Sequence, residues 1–575
     1  MAFLLRPTKR KNILMTNISK FEITLPKGYV NVFKYPELSI VLATIITNAI
    51  CSYILFTRDP NSFLYYGDAV SHLVIARTIF DSILPGLAQL GTTWLPITHI
   101  MLLPFVTNDF LFHTGLAGAI VSTGCSAITN LALYRIVKMQ FSSAHLGLLA
   151  SALYLMNPSV IYMEITPMME APFMMFFMVS VYYLQKWWYY YHNNIWKQYR
   201  TLIKCALAIS AATLTRYEGW ILPFGIMLSV FIVMMITKRE VWRYRVEAIM
   251  TFVGSCSFAG IIIWIVWNFV TEKDPLYFAT AASSSTYPFA YFFKSDPIKS
   301  FSIIFEVAKA MYGLPVLILA GLGIASYLYM NKSSKLFPFS LLTLVVLMMP
   351  ILFEFIAMVQ GSLEIYPTNT EGSWYNGRYL IFLAPFLIFV SVSLVKIIIN
   401  KRKKMLTIIA VALVIESWMF AILIQNLDRI KVVAMNDAFS ELQFTKESQM
   451  SIDTSNALKQ LYVGGNILLF TESQQGHLIM LNSNLPLKDF IDIGSGMYWD
   501  ISKDNPWIYG DYIVLNEYPS SEDKSDLTYK AYSQWLTSKY DDLLTKSVSI
   551  GNVLYSPYHI VYDNGFYVIL KRSYR

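Results

Sequence analysis

The sequence is poor in charge. Only 14% of its 575 residues are Asp, Glu, Lys or Arg, and 55% are hydrophobic. A soluble chain of this length carries about 25% charge, so a surface that faces water all round is excluded. Cysteine is scarce as well. Cys51, Cys125, Cys205 and Cys256 lie in or beside apolar runs, and none forms a CxxC pair. That argues against a disulfide framework and against a structural zinc site. No glycine-rich phosphate loop and no cluster of metal-ligand residues is present, so neither a nucleotide-binding fold nor a metal centre is expected. The chain opens without a signal-peptide pattern. Residues 1–36 read as a basic cytoplasmic arm, and the first apolar run is expected to serve as the targeting signal.

What the chain does have is long apolar runs separated by short charged loops. Runs of about 18 residues or more indicate membrane helices, whereas a membrane β-barrel would alternate polar and apolar residues. The fold class predicted is a polytopic α-helical membrane protein. Eleven spans are expected, at 37–56, 107–134, 143–160, 168–187, 201–216, 219–237, 246–270, 304–329, 336–359, 378–399 and 405–425. The run 94–106 is too short to cross and is placed in the outer interface. Lysine and arginine are about threefold enriched on one set of alternate loops, which sets the N-terminus in the cytoplasm. The net charge of +8 follows from this bias and needs no nucleic-acid partner.

The transmembrane part is therefore 37–427, with a large first outer loop at 57–106. An odd number of spans puts residues 428–575 outside. There "NILLF" and "DYIVL" read as strands, "LTYKAYSQWLTSKYDDLLTK" as a helix, and "HIVYDNGFYVILKR" as a hairpin turning at Asn564-Gly565. This region reads as a small extracytoplasmic α/β domain.

Ionisable residues at membrane depth are costly and usually functional. With this topology most acidic residues near the membrane crowd the outer face. Asp68 follows Gly67 and reads either as the N-cap of a helix 69–84 lying on the outer leaflet, or as a general base for an acceptor hydroxyl or amine. The apolar face of that helix is Ala69, Leu73, Ala76, Phe80 and Ile83. His72, one turn on, could share a ligand with Asp68. The turn "YMEITPMMEAPFM" carries Glu164 and Glu170, and Glu170 suits either a helix N-terminus or a site. In "TLTRYEGW", Arg216, Tyr217 and Glu218 read either as interfacial anchors or as the lining of a polar cavity. Arg378 in "NTEGSWYNGRYLIFLAPF" is suited to gripping a phosphate with its planar fork. The loop 271–300 could form a flap, and Lys294 within it is a second candidate for phosphate contact.

Taken together, these features resemble the GT-C superfamily of integral-membrane glycosyltransferases, most closely its protein mannosyltransferase-like branch. The likeness covers roughly residues 37–425 in layout. It rests on the Gly67-Asp68 pair in the first outer loop, the Glu-containing turn, "TRYEG", "NGRYLIFLAPFLIF" and the outer C-terminal region. Ala69 stands where members often carry a second acid, and the WWD-type motif of oligosaccharyltransferases is absent. The resemblance implies a sugar carried on a polyprenyl or dolichyl phosphate. Asp68 would act as general base, and Arg378, with Arg216, would stabilise the departing phosphate. The acceptor would be a protein, lipid or glycan. No cofactor is required by such a donor, and a divalent metal is not expected. A multi-pass transporter or flippase for a lipid-linked or sugar substrate is the alternative.

Overall fold

The computed structural model describes residues 35–190, 195–236, 242–279, 294–332, 337–363, 365, 376–401, 403–427, 434–435, 446–471, 473–516, 542–550 and 553–573. The arm 1–34, residues 280–293 of the proposed flap and most of the helix expected at 527–546 lie outside them.

The chain is a helical bundle capped by a small sheet. Helices α1 (Pro36–Arg58), α2 (Gly67–Thr78), α3 (Ile97–Val106), α4 (Asp109–His113) and α5 (Leu116–Phe141) come first. Then follow α6 (Ala144–Tyr154), α7 (Pro158–Met163), α8 (Glu170–Tyr190), α9 (Ile195–Thr213), α10 (Leu222–Ile236) and α11 (Trp242–Glu272). The bundle closes with α12 (Pro297–Asn331), α13 (Phe337–Gln360), α14 (Ala384–Asn400) and α15 (Lys404–Leu427).

Every one of the eleven expected spans is helical. By length and hydropathy, 7 helices among the described residues can cross a membrane unaided. The others are short, broken or more polar. The expected span at 143–160 is two pieces, because Asn157 caps α7 and Pro158 stands at its first position. The span expected at 107–134 begins later, at Leu116, after the separate turn of α4. Gly115 in the left-handed region, φ 76°, parts the two.

Beyond the bundle lie α16 (Lys446–Leu461), β1 (Ile467–Phe470), α17 (Ser473–Ser483), β2 (Phe490–Ile491), α18 (Met497–Asp504), α19 (Pro506–Tyr509) and β3 (Tyr512–Asn516). A two-stranded ribbon, β4 (Val548–Ile550) with β5 (Val553–Tyr555), precedes β6 (Tyr558–Asp563) and β7 (Tyr567–Arg572). The main sheet has the order β2-β1-β3-β7-β6. Strand β1 is parallel to β2 and β3, and the β6–β7 hairpin pairs antiparallel to itself and to β3. Gly565, φ 74°, sits in the hairpin turn, as its sequence indicates.

The central strands are buried on both faces, which explains their unbroken apolar runs. Ile467, Leu469, Tyr512, Val514, Tyr567 and Ile569 join the hydrophobic core that also holds the bundle. Their alternates Leu468, Phe470, Ile513, Leu515, Val568 and Leu570 pack with Trp499 and Trp507, following the period of two. The sheet thus shares a core with the bundle.

Helix α2 corrects an expectation. It starts at Gly67, ends at Thr78, and is capped by Tyr66, not by Asp68. Its apolar face is buried as expected at Ala69, Leu73 and Ala76, but Val70, Ser71, His72 and Val74 are buried too. The reason is cover from the far side. Helix α17 crosses so close that a Cβ on Gly67 would overlap the Gln474 side chain. The helix is therefore held between bundle and sheet, instead of floating on a leaflet.

Candidate active site

Two short 3-10 turns carry the site. Tyr217–Ile221 leads into α10 and Gly377–Leu383 leads into α14. Each is followed by a proline in the first turn of the helix, Pro223 and Pro385, where the missing N–H costs nothing. The glycine of "TRYEG" has a steric reason, since a Cβ on Gly219 would lie 2.5 Å from the Ala212 carbonyl oxygen. The turn is thereby pressed against the end of α9, and Arg216 and Glu218 are brought into the protein.

Asp68 and Arg378 meet. Arg378 Nη1 donates to Asp68 Oδ2 at 2.6 Å, across 310 residues of sequence. The guanidinium is 9% exposed and the carboxylate 27%, so the pair has a buried side and an open side. Arg378 Nη2 donates to the Tyr379 hydroxyl at 3.2 Å. The Tyr66 ring lies 5.2 Å from the guanidinium carbon, and its hydroxyl donates to the Ala434 carbonyl.

Arg216 forms a second centre. Its Nη1 donates to Glu170 Oε1 at 2.8 Å, and its Nε and Nη2 donate to Glu218 Oε1 at 2.8 and 2.5 Å. Glu354 of α13, which no sequence motif marked, is buried beside Glu218. Both guanidiniums lie within cation–π range of the Tyr379 ring, at 5.7 Å for Arg216 and 5.1 Å for Arg378. Tyr379 therefore links the two centres. Its only sequence signal was its place beside Arg378.

The other expected residues do not join them. Glu164 accepts from Ser126 Oγ at 2.6 Å and from the Tyr154 hydroxyl, in the bundle between α5 and α6. Tyr217 donates to the Thr93 carbonyl at 2.7 Å and stacks on Phe278. Lys294 is exposed, with its stem beside Gly361. His72 and Asp68 have different partners. The His72 Nδ1 is 3.0 Å from His99 Nε2, and Trp94 packs edge-on at 4.9 Å. No group of three or more metal-ligating side chains occurs among the described residues.

The histidines have a consequence for pH. His477 of α17 is 3.0 Å from Ser71 Oγ, so His72, His99 and His477 sit where α2, α3 and the C-terminal layer meet. Burial holds His72 at about 3, with the positive Arg216 and Arg378 adding to the effect. Burial likewise holds His477 at about 4 and pushes His99 well down. A histidine depressed on folding must gain a proton when it is released, so its contribution is whole above about pH 6.5 and shrinks below it. The docking of α17 on α2 is expected to loosen progressively from pH 6.5 toward 4. Hydrogen exchange of the α2 and α17 backbone amides against pH checks this, and protection that stays flat over that range would refute it.

No family model and no curated protein sequence matches the chain. Solved structures do match. ArnT from Cupriavidus metallidurans, bound to undecaprenyl phosphate, aligns over 94% of this chain and 98% of its own, at 11% identity and a TM-score of 0.50. The chain has a GT-C fold. Archaeoglobus fulgidus AglB, an oligosaccharyltransferase in complex with an inhibitory peptide and a dolichol phosphate, covers 95% of this chain and 75% of its own, at 10% identity and TM-score 0.47. The Saccharomyces cerevisiae protein O-mannosyltransferase complex Pmt1-Pmt2, bound to the sugar donor, covers 41% of this chain at 15% identity and TM-score 0.31, and the match spans 34% of that chain. This chain's 7 described helices long and apolar enough to cross a bilayer are those of a multi-pass membrane protein, and α2 of the first loop packs against α17 of the C-terminal layer.

Proposed function

We propose that the protein is a glycosyltransferase that moves a sugar from a polyprenyl-phosphate donor to an acceptor at the extracytoplasmic face. The observation that carries this reading is the contact between Asp68 and Arg378, a carboxylate and a guanidinium joined at the open end of a membrane bundle. In the reaction an acceptor hydroxyl attacks the anomeric carbon while the bond from that carbon to the phosphate oxygen breaks. The hydroxyl proton passes to the Asp68 carboxylate, and the lipid phosphate leaves as an anion stabilised by Arg378.

The ion pair adds a sequence to these events. Asp68 occupies the Nη1 group that an incoming phosphate would take. The donor phosphate competes for the guanidinium, and the carboxylate it displaces is then open to the acceptor. Arg216 is not assigned a phosphate, because its three donor groups are committed to Glu170 and Glu218.

Arg378→Lys keeps the charge and loses the fork. A hydrogen bond to a charged group is worth about 1.5–3 kcal/mol, so KM for the donor is expected to rise by about 10- to 100-fold. Steady-state kinetics with purified protein checks this. The reading as a whole is tested by incubating the protein with polyprenyl-phosphate sugars and an acceptor. Release of free polyprenyl phosphate is expected, and passage of the lipid across vesicles without bond cleavage would sink it in favour of a transporter.

A further inference from the structure

A cavity of about 160 Å³ lies between the first loop and the C-terminal layer. One wall is Thr78 of α2 with Gln89 and Gly91, and the other is Thr471, His477 and the Asp492–Gly494 turn. Thr471 directly follows β1 and Asp492 directly follows β2. These strands are adjacent and parallel, so the cavity opens outside their carboxyl ends, where loops from neighbouring strands leave a crevice in open α/β sheets.

Its chemistry is mixed. Ile75 and Leu469 supply apolar surface. Asp492 Oδ1 accepts from Gly494 N and Ser495 Oγ, both at 3.0 Å, and Oδ2 has no bond of its own among the described residues. Gln89 donates to the carbonyls of Leu84 and Gly494, at 2.9 and 3.3 Å, which ties the two walls together and leaves its side-chain oxygen as an acceptor. A compact site with acceptors on opposed walls suits a ring bearing hydroxyl donors on several carbons. A peptide in extended form needs a longer groove and a free strand edge. The position also matters. Ile75 lies two turns along α2 from Asp68, about 10 Å by helix rise, and Gln474 and His477 of α17 run beside the same stretch.

We propose that this cavity is a subsite for a neutral sugar ring of the acceptor, so that the acceptor is a glycan or glycolipid and the ring in the cavity neighbours the one that Asp68 deprotonates. The proposal rests on the glycosyltransferase reading for its role, but sugar binding can be read without turnover.

The test uses the full chain in lipid nanodiscs and saturation-transfer NMR. The probes are methyl α-mannoside, methyl α-glucoside and a serine/threonine hexapeptide. Saturation transfer to at least one glycoside and none to the peptide is expected. Gly494→Leu should fill the cavity, because a Cβ there points between Asp492 and Gln89. Gln89→Ala should remove one polar wall. Each is expected to cut the glycoside signal at least tenfold with an unchanged melting midpoint. A signal undiminished by both variants, or seen only with the peptide, overturns the proposal. Release of polyprenyl phosphate by wild-type protein that shows no glycoside signal also overturns it and leaves the transferase reading intact. A cavity-dependent glycoside signal with no donor cleavage supports the sugar site and removes the transferase reading. Adding an octyl chain to the effective glycoside separates the two sources: tighter binding marks a glycolipid acceptor, and equal binding a soluble glycan.

Discussion

Asp68→Asn is expected to slow sugar transfer by about 10²- to 10⁴-fold, the range for loss of a positioned general base. The amide has almost the same shape and still accepts a hydrogen bond from Arg378, so the ion-pair geometry of 2.6 Å can persist as a neutral-to-charged bond. What the amide cannot do is take the proton of the acceptor. Expression and melting should therefore stay close to wild type, while release of polyprenyl phosphate in the presence of acceptor falls. Donor affinity gives a second readout. Asn competes less well than a carboxylate for the guanidinium, so the donor should bind at least as tightly as before. Unaltered turnover in this variant would remove Asp68 from the base role, and weakened donor binding would mean that the carboxylate helps hold the donor.

Arg216→Met is expected to be the most destabilising single change in the site. Arg216 is 13% exposed, Glu170 is fully buried and Glu218 nearly so. Removing the one cation leaves two buried carboxylates without a counter-charge, and breaking a buried pair in this way costs about 3–5 kcal/mol. Glu354 makes matters worse because it adds a third buried carboxyl group beside Glu218. Arg216→Lys should recover only part of the loss, since an ammonium on a flexible stem cannot reproduce three bonds from a planar fork. Replacing Arg216 by Met together with Glu170→Gln and Glu218→Gln should restore much of the stability, because no buried charge is then left unpaired. Thermal unfolding in detergent separates these variants. A single Arg216→Met protein that melts with the wild type but has a raised KM for donor would instead return Arg216 to the phosphate.

The expectation for Arg216 shows where reading a sequence stops. Its neighbours in the chain, Tyr217 and Glu218, gave no way to know that Glu170 lies on its other side or that Glu354 closes the cluster. Long-range partners set whether a guanidinium is free for a ligand. Glu164 and Glu170 share one turn, yet one faces Ser126 and Tyr154 and the other faces Arg216. Five residues of sequence separate them, Pro167 among them. The same applies to His72. Helical spacing put it beside Asp68, but α3 supplied His99 as a nearer partner.

The sequence alone determined the helices of the bundle, strands β1 and β3 and the hairpin at Asn564-Gly565, since apolar period and turn chemistry act over a few residues. It also singled out Asp68 and Arg378, because charge at membrane depth is costly enough to be informative wherever it stands. Which of the marked charges meet, which neutralise one another and where a cavity remains was decided by tertiary packing. Those outcomes depend on contacts between segments hundreds of residues apart, and no local pattern encodes them.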